Sequence, residues 1–209
     1  ALTGPRSTLI HNATLIDGTI TEPRPGIDVR IEDGRIAEIG RDLAPGTSEA
    51  VDATGLFLTP GLIDCHVHFV LSGGPDDDSM VRASRIPAVA WAAARNAAAT
   101  LAGGVTTARD LGAKETIGQD LRDEIRAVRL PGPRIRAAGQ VICMTGGHGW
   151  WMAREADGVD GVRKAVRAEI KAGADAIKFI ATGGVMTPRV DPRSPQLDED
   201  ELRAGVEAA

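Results

Sequence analysis

The stretch Leu58-Thr59-Pro60-Gly61-Leu62-Ile63-Asp64-Cys65-His66-Val67-His68-Phe69 separates two kinds of sequence in this chain. Before it, short alternations of apolar and polar residues are divided by turn residues, a pattern of β strands alone. After it, strand-like runs alternate with helix-like runs, which calls for βαβ units and a parallel sheet. The stretch itself is an apolar run opened by a Pro-Gly turn and closed by two histidines one residue apart. In an extended strand, side chains at i and i+2 share a face, roughly 6–7 Å apart. His66 and His68 are therefore neighbours, and two imidazoles so placed can converge on one metal ion at about 2 Å each. Both stand at the far end of a buried-looking strand, where α/β barrels keep their active sites.

Residues 1–59 read as a small antiparallel β module. Ile27-Asp28-Val29-Arg30-Ile31 alternates as a half-buried strand, Asp33-Gly34 is a strong hairpin signal, and Ile36-Ala37-Glu38-Ile39 resumes the alternation. Residues 60–209 read as four βα units. Strands are expected at 62–69, 105–111, 135–144 and 174–181. Helices are expected at 79–101, with a break or kink at Pro87, at 115–130, and after Asp157 and Asp198 as N-caps. Glu201, three residues beyond Asp198, completes a capping box. The fold class is α/β, and one arrangement that four units allow is the first half of a (β/α)8 TIM barrel behind a β-sandwich module. A small doubly wound sheet is the other arrangement that four units allow.

Composition narrows the function. A formal net charge of −5, with Lys and Arg scattered along 209 residues, gives no footprint for nucleic acid. The longest Ala-rich run, residues 88–102, contains Arg95 and Asn96 and is too short and polar for a bilayer; no signal peptide opens the chain. The two cysteines, Cys65 and Cys143, each sit in an apolar run and read as small buried residues of a cytoplasmic protein. With three Phe, three Trp and no Tyr, the core is built from Ala, Val, Leu and Ile. The chain begins with Ala, not Met, so residues ahead of it are expected.

Several further side chains carry candidate chemistry. Lys178 shares a strand face with Ala176 and Ile180, and an amine there either snorkels to water or must be paired or neutralised. His148 lies in the glycine-rich Thr145-Gly146-Gly147-His148-Gly149, which lacks the Gly-Lys-Ser/Thr of a phosphate loop. Arg109 and Asp110 close the second strand and are expected to form an ion pair, with substrate contact as the second role. His11 is expected to be structural. Trp150 and Trp151 either wall a pocket or pack.

Taken in order, the β module, residues 59–68, Gly104-Val105-Thr106-Thr107-Ala108-Arg109-Asp110, residues 145–149 and residues 174–184 resemble the amidohydrolase superfamily, in particular its Xaa-Pro dipeptidase-like and imidazolonepropionase-related branch. The resemblance runs along nearly the whole chain. It implies hydrolysis of a C–N amide bond by a metal-activated water, in Xaa-Pro or other dipeptides or in N-acyl amino acids. It implies two divalent metal ions, Zn2+ by the ligand types, with His66 and His68 as ligands and Lys178 carboxylated on its ε-nitrogen as the bridge. Carboxylation exchanges a would-be cation for an anion that two metal ions satisfy. It places His148 over the metals as a substrate-binding residue.

By the same resemblance, the general base is an aspartate after an eighth strand, and two further histidine ligands follow a fifth and a sixth. No histidine follows His148, and Asp191, Asp198 and Asp200 fall on a loop and a helix start. The catalytic base is therefore unassigned. The expectation is an N-terminal portion, inactive by itself and poorly stable or self-associating, whose partners are a small-molecule substrate and a C-terminal half or further copies of the chain. The other readings are an imidazolonepropionase-like cyclic amidase, a non-catalytic α/β module, and half of a split enzyme.

Overall fold

The structure, a computed structural model, describes residues 7–75 and 77–209; residues 1–6 of the predicted β module lie outside the described residues. The chain falls into two compact units, one ending at Pro60 and the other running Gly61–Ala209.

In the first unit, β1 (Ser7–Leu15) is the central strand. It pairs antiparallel with β2 (Arg24–Glu32), which turns at Asp33-Gly34 into antiparallel β3 (Arg35–Gly40). Asp33 and Gly34 have φ of 48° and 74°, the left-handed pair that a two-residue hairpin needs. The other edge of β1 corrects the expectation of a purely antiparallel module. β4 (Glu49–Asp52) and β5 (Phe57–Leu58) run parallel to β1 along successive parts of its length. Hairpin signals report only neighbours in sequence, and these two strands return to β1 from farther away. Leu15, Ile27 and Val29 form the buried core of this unit.

In the second unit, β6 (Leu62–Val67), β7 (Val105–Asp110) and β8 (Arg134–Ala137) form a parallel sheet in chain order. Between β6 and β7 lie α1 (Asp77–Ala83) and α2 (Ile86–Ala102). Pro87 falls in the first turn of α2, where its missing N–H costs no helical bond, so it starts a new helix after the break at Ser84-Arg85. α3 (Ile117–Arg126) joins β7 to β8. Ala108, Ile135 and Ala137 of the sheet bury against Val89, Ala93 and Ala97 of α2 and Ile117 and Leu121 of α3. Alanine on both sides lets helix and sheet approach closely, as the lack of aromatics requires.

The predicted third strand is divided. β8 stops at Ala137, and β9 (Val141–Cys143) begins after Gly139, whose φ of +71° no regular strand accommodates. β9 pairs in parallel with β10 (Ala153–Glu155), which follows a single 3-10 turn over Trp150–Met152. The predicted fourth strand contracts to one parallel bridge: the Ile142 N–H donates to the Lys178 carbonyl at 2.8 Å, and the Ile180 N–H donates to the Ile142 carbonyl at 2.8 Å. α4 (Gly158–Lys171) and α5 (Glu199–Ala208) close the unit, with Val162, Ala165 and Val166 of α4 packed on Ile142 and Leu197.

The capping box at α5 is present: the Glu201 N–H donates to Asp198 Oδ1 and the Asp198 N–H to Glu201 Oε2, both at 2.8 Å. The cap expected from Asp157 is not. Asp157 stands at the N-cap position of α4, but its carboxylate accepts from the Thr145 N–H at 3.0 Å and from the Thr145 hydroxyl instead. Glu201 serves α4 as well, its Oε1 accepting from the Gly158 N–H at 2.6 Å. Cys143 is buried as expected, whereas Cys65 is exposed on β6.

Candidate active site

The end of β6 carries His66 and His68 with ring centroids 5.4 Å apart and planes inclined by 62°. His66 is exposed and His68 half-buried. His68 Nδ1 lies 2.9 Å from the Gly112 carbonyl. A carbonyl only accepts, so Nδ1 carries the proton and Nε2 keeps its lone pair, the arrangement of a metal-ligating imidazole. Gly112 is glycine because a Cβ there would stand 2.6 Å from Val141 Cγ1 and 3.2 Å from the His68 ring. Burial holds the His68 pKa below the usual imidazole value; the Gly112 contact opposes this, and the positive charges of His66, Lys178 and His148 reinforce it.

The expected Arg109–Asp110 ion pair does not form. Arg109 Nε donates to the Cys65 carbonyl at 2.9 Å, bracing the strand that bears the histidines. Asp110 turns inward, 1% exposed, and its Oδ1 accepts the Gly112 N–H at 3.0 Å. The chain of contacts Asp110–Gly112–His68 thus seats one imidazole from a buried carboxylate. Among the described residues Asp110 Oδ2 has no hydrogen-bond partner, and burial pushes the carboxyl up to about 7 against the lowering effect of the Gly112 and Phe69 N–H groups.

Lys178 is half-buried on the segment bridged to β9. His148 follows β9 in its glycine loop. Its main-chain N–H donates to Gln196 Oε1 at 2.8 Å, and its Nδ1 lies 3.0 Å from Thr187 Oγ1, which also accepts the Gly149 N–H at 2.9 Å. Burial, then the Lys178 charge, lowers the His148 pKa. His66, His68, His148 and Lys178 line one cleft of about 360 Å³ with Leu71 and Met152, and among the described residues no acidic side chain lines it. Trp151 packs in the core and Trp150 is exposed; neither lines the cleft. His11 lies in the first unit, 3.9 Å from Asp52.

The four residues singled out from the sequence therefore meet in one place. Of their supports, Asp110 was singled out at its strand end for a different role, whereas Gly112, Thr187 and Gln196 carried no periodic or spacing signal and emerge only from the fold. Among the described residues, no three His, Cys, Asp or Glu side chains cluster closely enough to hold a metal ion. The nitrogen donors present fit part of a divalent-metal shell: two adjacent imidazoles, one with its tautomer fixed for ligation, and a lysine in the same cleft.

A parallel sheet with covering helices, histidines at the end of its first strand and a lysine in the same cleft defines an α/β scaffold with nitrogen donors gathered at one end of its strands. Residues 57–209 match the amidohydrolase family, and the chain belongs to that family. Over 97% of its length it is 32% identical to an ochratoxinase of Aspergillus niger, of which it covers 48%. The crystal structure of a prolidase complexed with N-methylphosphonate-L-proline matches 97% of this chain with a TM-score of 0.87 at 31% identity, over 53% of that chain. A Xaa-Pro dipeptidase with bound methionine in its active site matches with a TM-score of 0.84, also at 31% identity, over 97% of this chain and 54% of that one. The chain spans about half the length of these relatives. Its fold is accordingly a β module followed by the leading βα units of an amidohydrolase TIM barrel.

Proposed function

We propose that the protein is a metal-dependent amidohydrolase that cleaves a C–N amide bond in Xaa-Pro or other dipeptides or in N-acyl amino acids. This chain contributes His66 and His68 as metal ligands, Lys178 as a carboxylated bridging ligand and His148 as a substrate-binding residue. One observation carries the reading: these four side chains, drawn from three segments far apart in sequence, converge on a single cleft. The fixed tautomer of His68 supports ligation, and the prolidase and Xaa-Pro dipeptidase among the similar structures support the reaction class. Divalent ions bound there, Zn2+ in this reading, supply an acidified water and polarise the scissile carbonyl. The residues of this chain do the holding: Gly112 and Asp110 keep the His68 ring oriented, Arg109 braces the strand end, and the loop around His148 lines the cleft.

The test uses the whole protein, with metal content measured beside hydrolysis of Xaa-Pro dipeptides, other dipeptides and N-acyl amino acids. Stoichiometric divalent metal, lost with activity in His68→Asn and Lys178→Ala, is the expected result. Hydrolysis indifferent to chelation and to both substitutions would overturn the proposal. Turnover confined to cyclic amides would move the assignment to an imidazolonepropionase-like enzyme.

A further inference from the structure

The two half-buried histidines of the cleft are held in opposite ways, and the difference lies in a residue with no assigned role. Thr187 is 5% exposed and sits in the loop that follows Lys178. Its Oγ1 accepts the Gly149 N–H at 2.9 Å, so that lone pair is committed. Its one hydroxyl hydrogen is shielded from water, and the acceptor within reach is His148 Nδ1 at 3.0 Å. Were Nδ1 protonated instead, Thr187 would accept twice and leave a buried hydroxyl hydrogen unpaired, a cost that favours the first arrangement about ten-fold or more.

We infer that Thr187 is a positioning residue that fixes His148 with Nδ1 as acceptor and its N–H on Nε2, so that His148 serves as a hydrogen-bond donor to an anionic oxygen of the substrate. The inference rests on His148 being the substrate-binding residue, as proposed above. Two further contacts support it. Gln196, 8% exposed, takes the His148 main-chain N–H, so ring and backbone are both held by buried side chains of the same loop. Gly184 packs on the face of the ring, where a Cβ would overlap Nε2, Cδ2 and Cε1; only glycine leaves the ring in this place. Among the described residues no Asp or Glu side chain lines the cleft beside this N–H, so none repels the free carboxylate of a substrate that carries one next to the scissile amide. His68, by contrast, donates from Nδ1 and keeps a lone pair on Nε2. Hydrogen bonds from the scaffold thus set one imidazole as ligand and the other as donor.

The test has a spectroscopic and a kinetic arm, both on the whole protein. Ring 15N–1H correlation spectra of histidine-labelled protein, with His148 assigned by its loss in His148→Gln, report which nitrogen bears the proton without reference to activity. Wild type and Thr187→Ser should show it on Nε2, and Thr187→Val should move it wholly or partly to Nδ1. In kinetics, Thr187→Val and Gly184→Ala should raise KM for a carboxylate-bearing dipeptide roughly ten-fold, with kcat altered less. Thr187→Ser should restore KM, and the C-terminally amidated dipeptide should show no such rise. A wild-type His148 protonated on Nδ1, or an unchanged tautomer in Thr187→Val, overturns the inference. If Thr187→Val does not fold, the wild-type and Thr187→Ser spectra and Gly184→Ala decide. A protein that hydrolyses no amide refutes the functional proposal, while the spectra still decide the role of Thr187.

Discussion

Asp110 offers a quantitative test of how the site is supported. At 1% exposure, with Oδ2 lacking a hydrogen-bond partner among the described residues, its carboxyl titrates near 7 rather than at the ordinary 3.8. Between those values the folded protein holds the proton and the unfolded chain has released it. The folded state therefore binds more protons, and stability falls as pH rises through this window. A gap of roughly three pH units, at about 1.4 kcal/mol each, makes about 4 kcal/mol as an upper limit, of which about 3 kcal/mol falls between pH 5 and 8. Asp110→Asn imitates the protonated acid: its amide oxygen still accepts the Gly112 N–H, and no charge develops. In urea denaturation at pH 5 and pH 8, the stability of Asp110→Asn relative to wild type should rise by up to about 3 kcal/mol at the higher pH. Groups common to both proteins cancel in that difference. Parallel curves for the two proteins across this range would refute the argument, because Asp110 would then be ionised in the folded state throughout.

Gly139→Ala places a Cβ at φ +71° against the Gln119 amide nitrogen and the Glu169 carboxylate; a loss of about 2 kcal/mol or more is expected in the denaturation midpoint. Arg154→Met removes the partner, at 2.8 Å, of a Glu169 that is 1% exposed. Because the arginine is itself partly exposed and Gln140 still donates to the other oxygen, the expected cost is about 1–3 kcal/mol, below that of a fully buried pair, and Glu169→Gln in the same background should recover part of it. Burial, reinforced by Glu155 and Asp157, pushes the Cys143 thiol up to about 12, whereas Cys65 is exposed. Maleimide at pH 7.5, mapped by mass spectrometry, should modify Cys65 in the native protein well before Cys143, and equal rates would contradict the burial.

Local signals in the sequence translated into structure where the physics is local. The Asp33-Gly34 hairpin, the capping box at Asp198 and Glu201, and the pairing of His66 with His68 on one strand depend on residues a few positions apart. What failed depends on distant partners. Nothing near residues 49–58 states that these strands return parallel to β1. The third strand looked continuous because a hydrophobic run does not reveal that Gly139 must pass between Gln119 and Glu169. Arg109 and Asp110 looked like an ion pair because adjacent charges invite it, yet successive strand residues point to opposite faces, so the two separated to a carbonyl and to a buried peptide. The candidate site was legible as residue types in family order. Its supports were not, because Thr187 and Gln196 are unremarkable polar residues until the loop folds back over His148.

Glu201 has reach beyond its own helix. One of its oxygens closes the cap of α5, and the other caps the first turn of α4. That second bond releases Asp157 from capping duty, and Asp157 spends its carboxylate on Thr145, at the root of the loop that bears His148. The last helix is therefore coupled to the loop of His148 through two carboxylates, besides its packing against Phe179 of the cleft. Shortening the polypeptide from its C-terminal side would draw Asp157 back toward the vacated helix end and slacken the glycine loop. The boundary of the smallest autonomous segment that presents His148 correctly lies beyond Glu201, well past the last residue of the cleft itself.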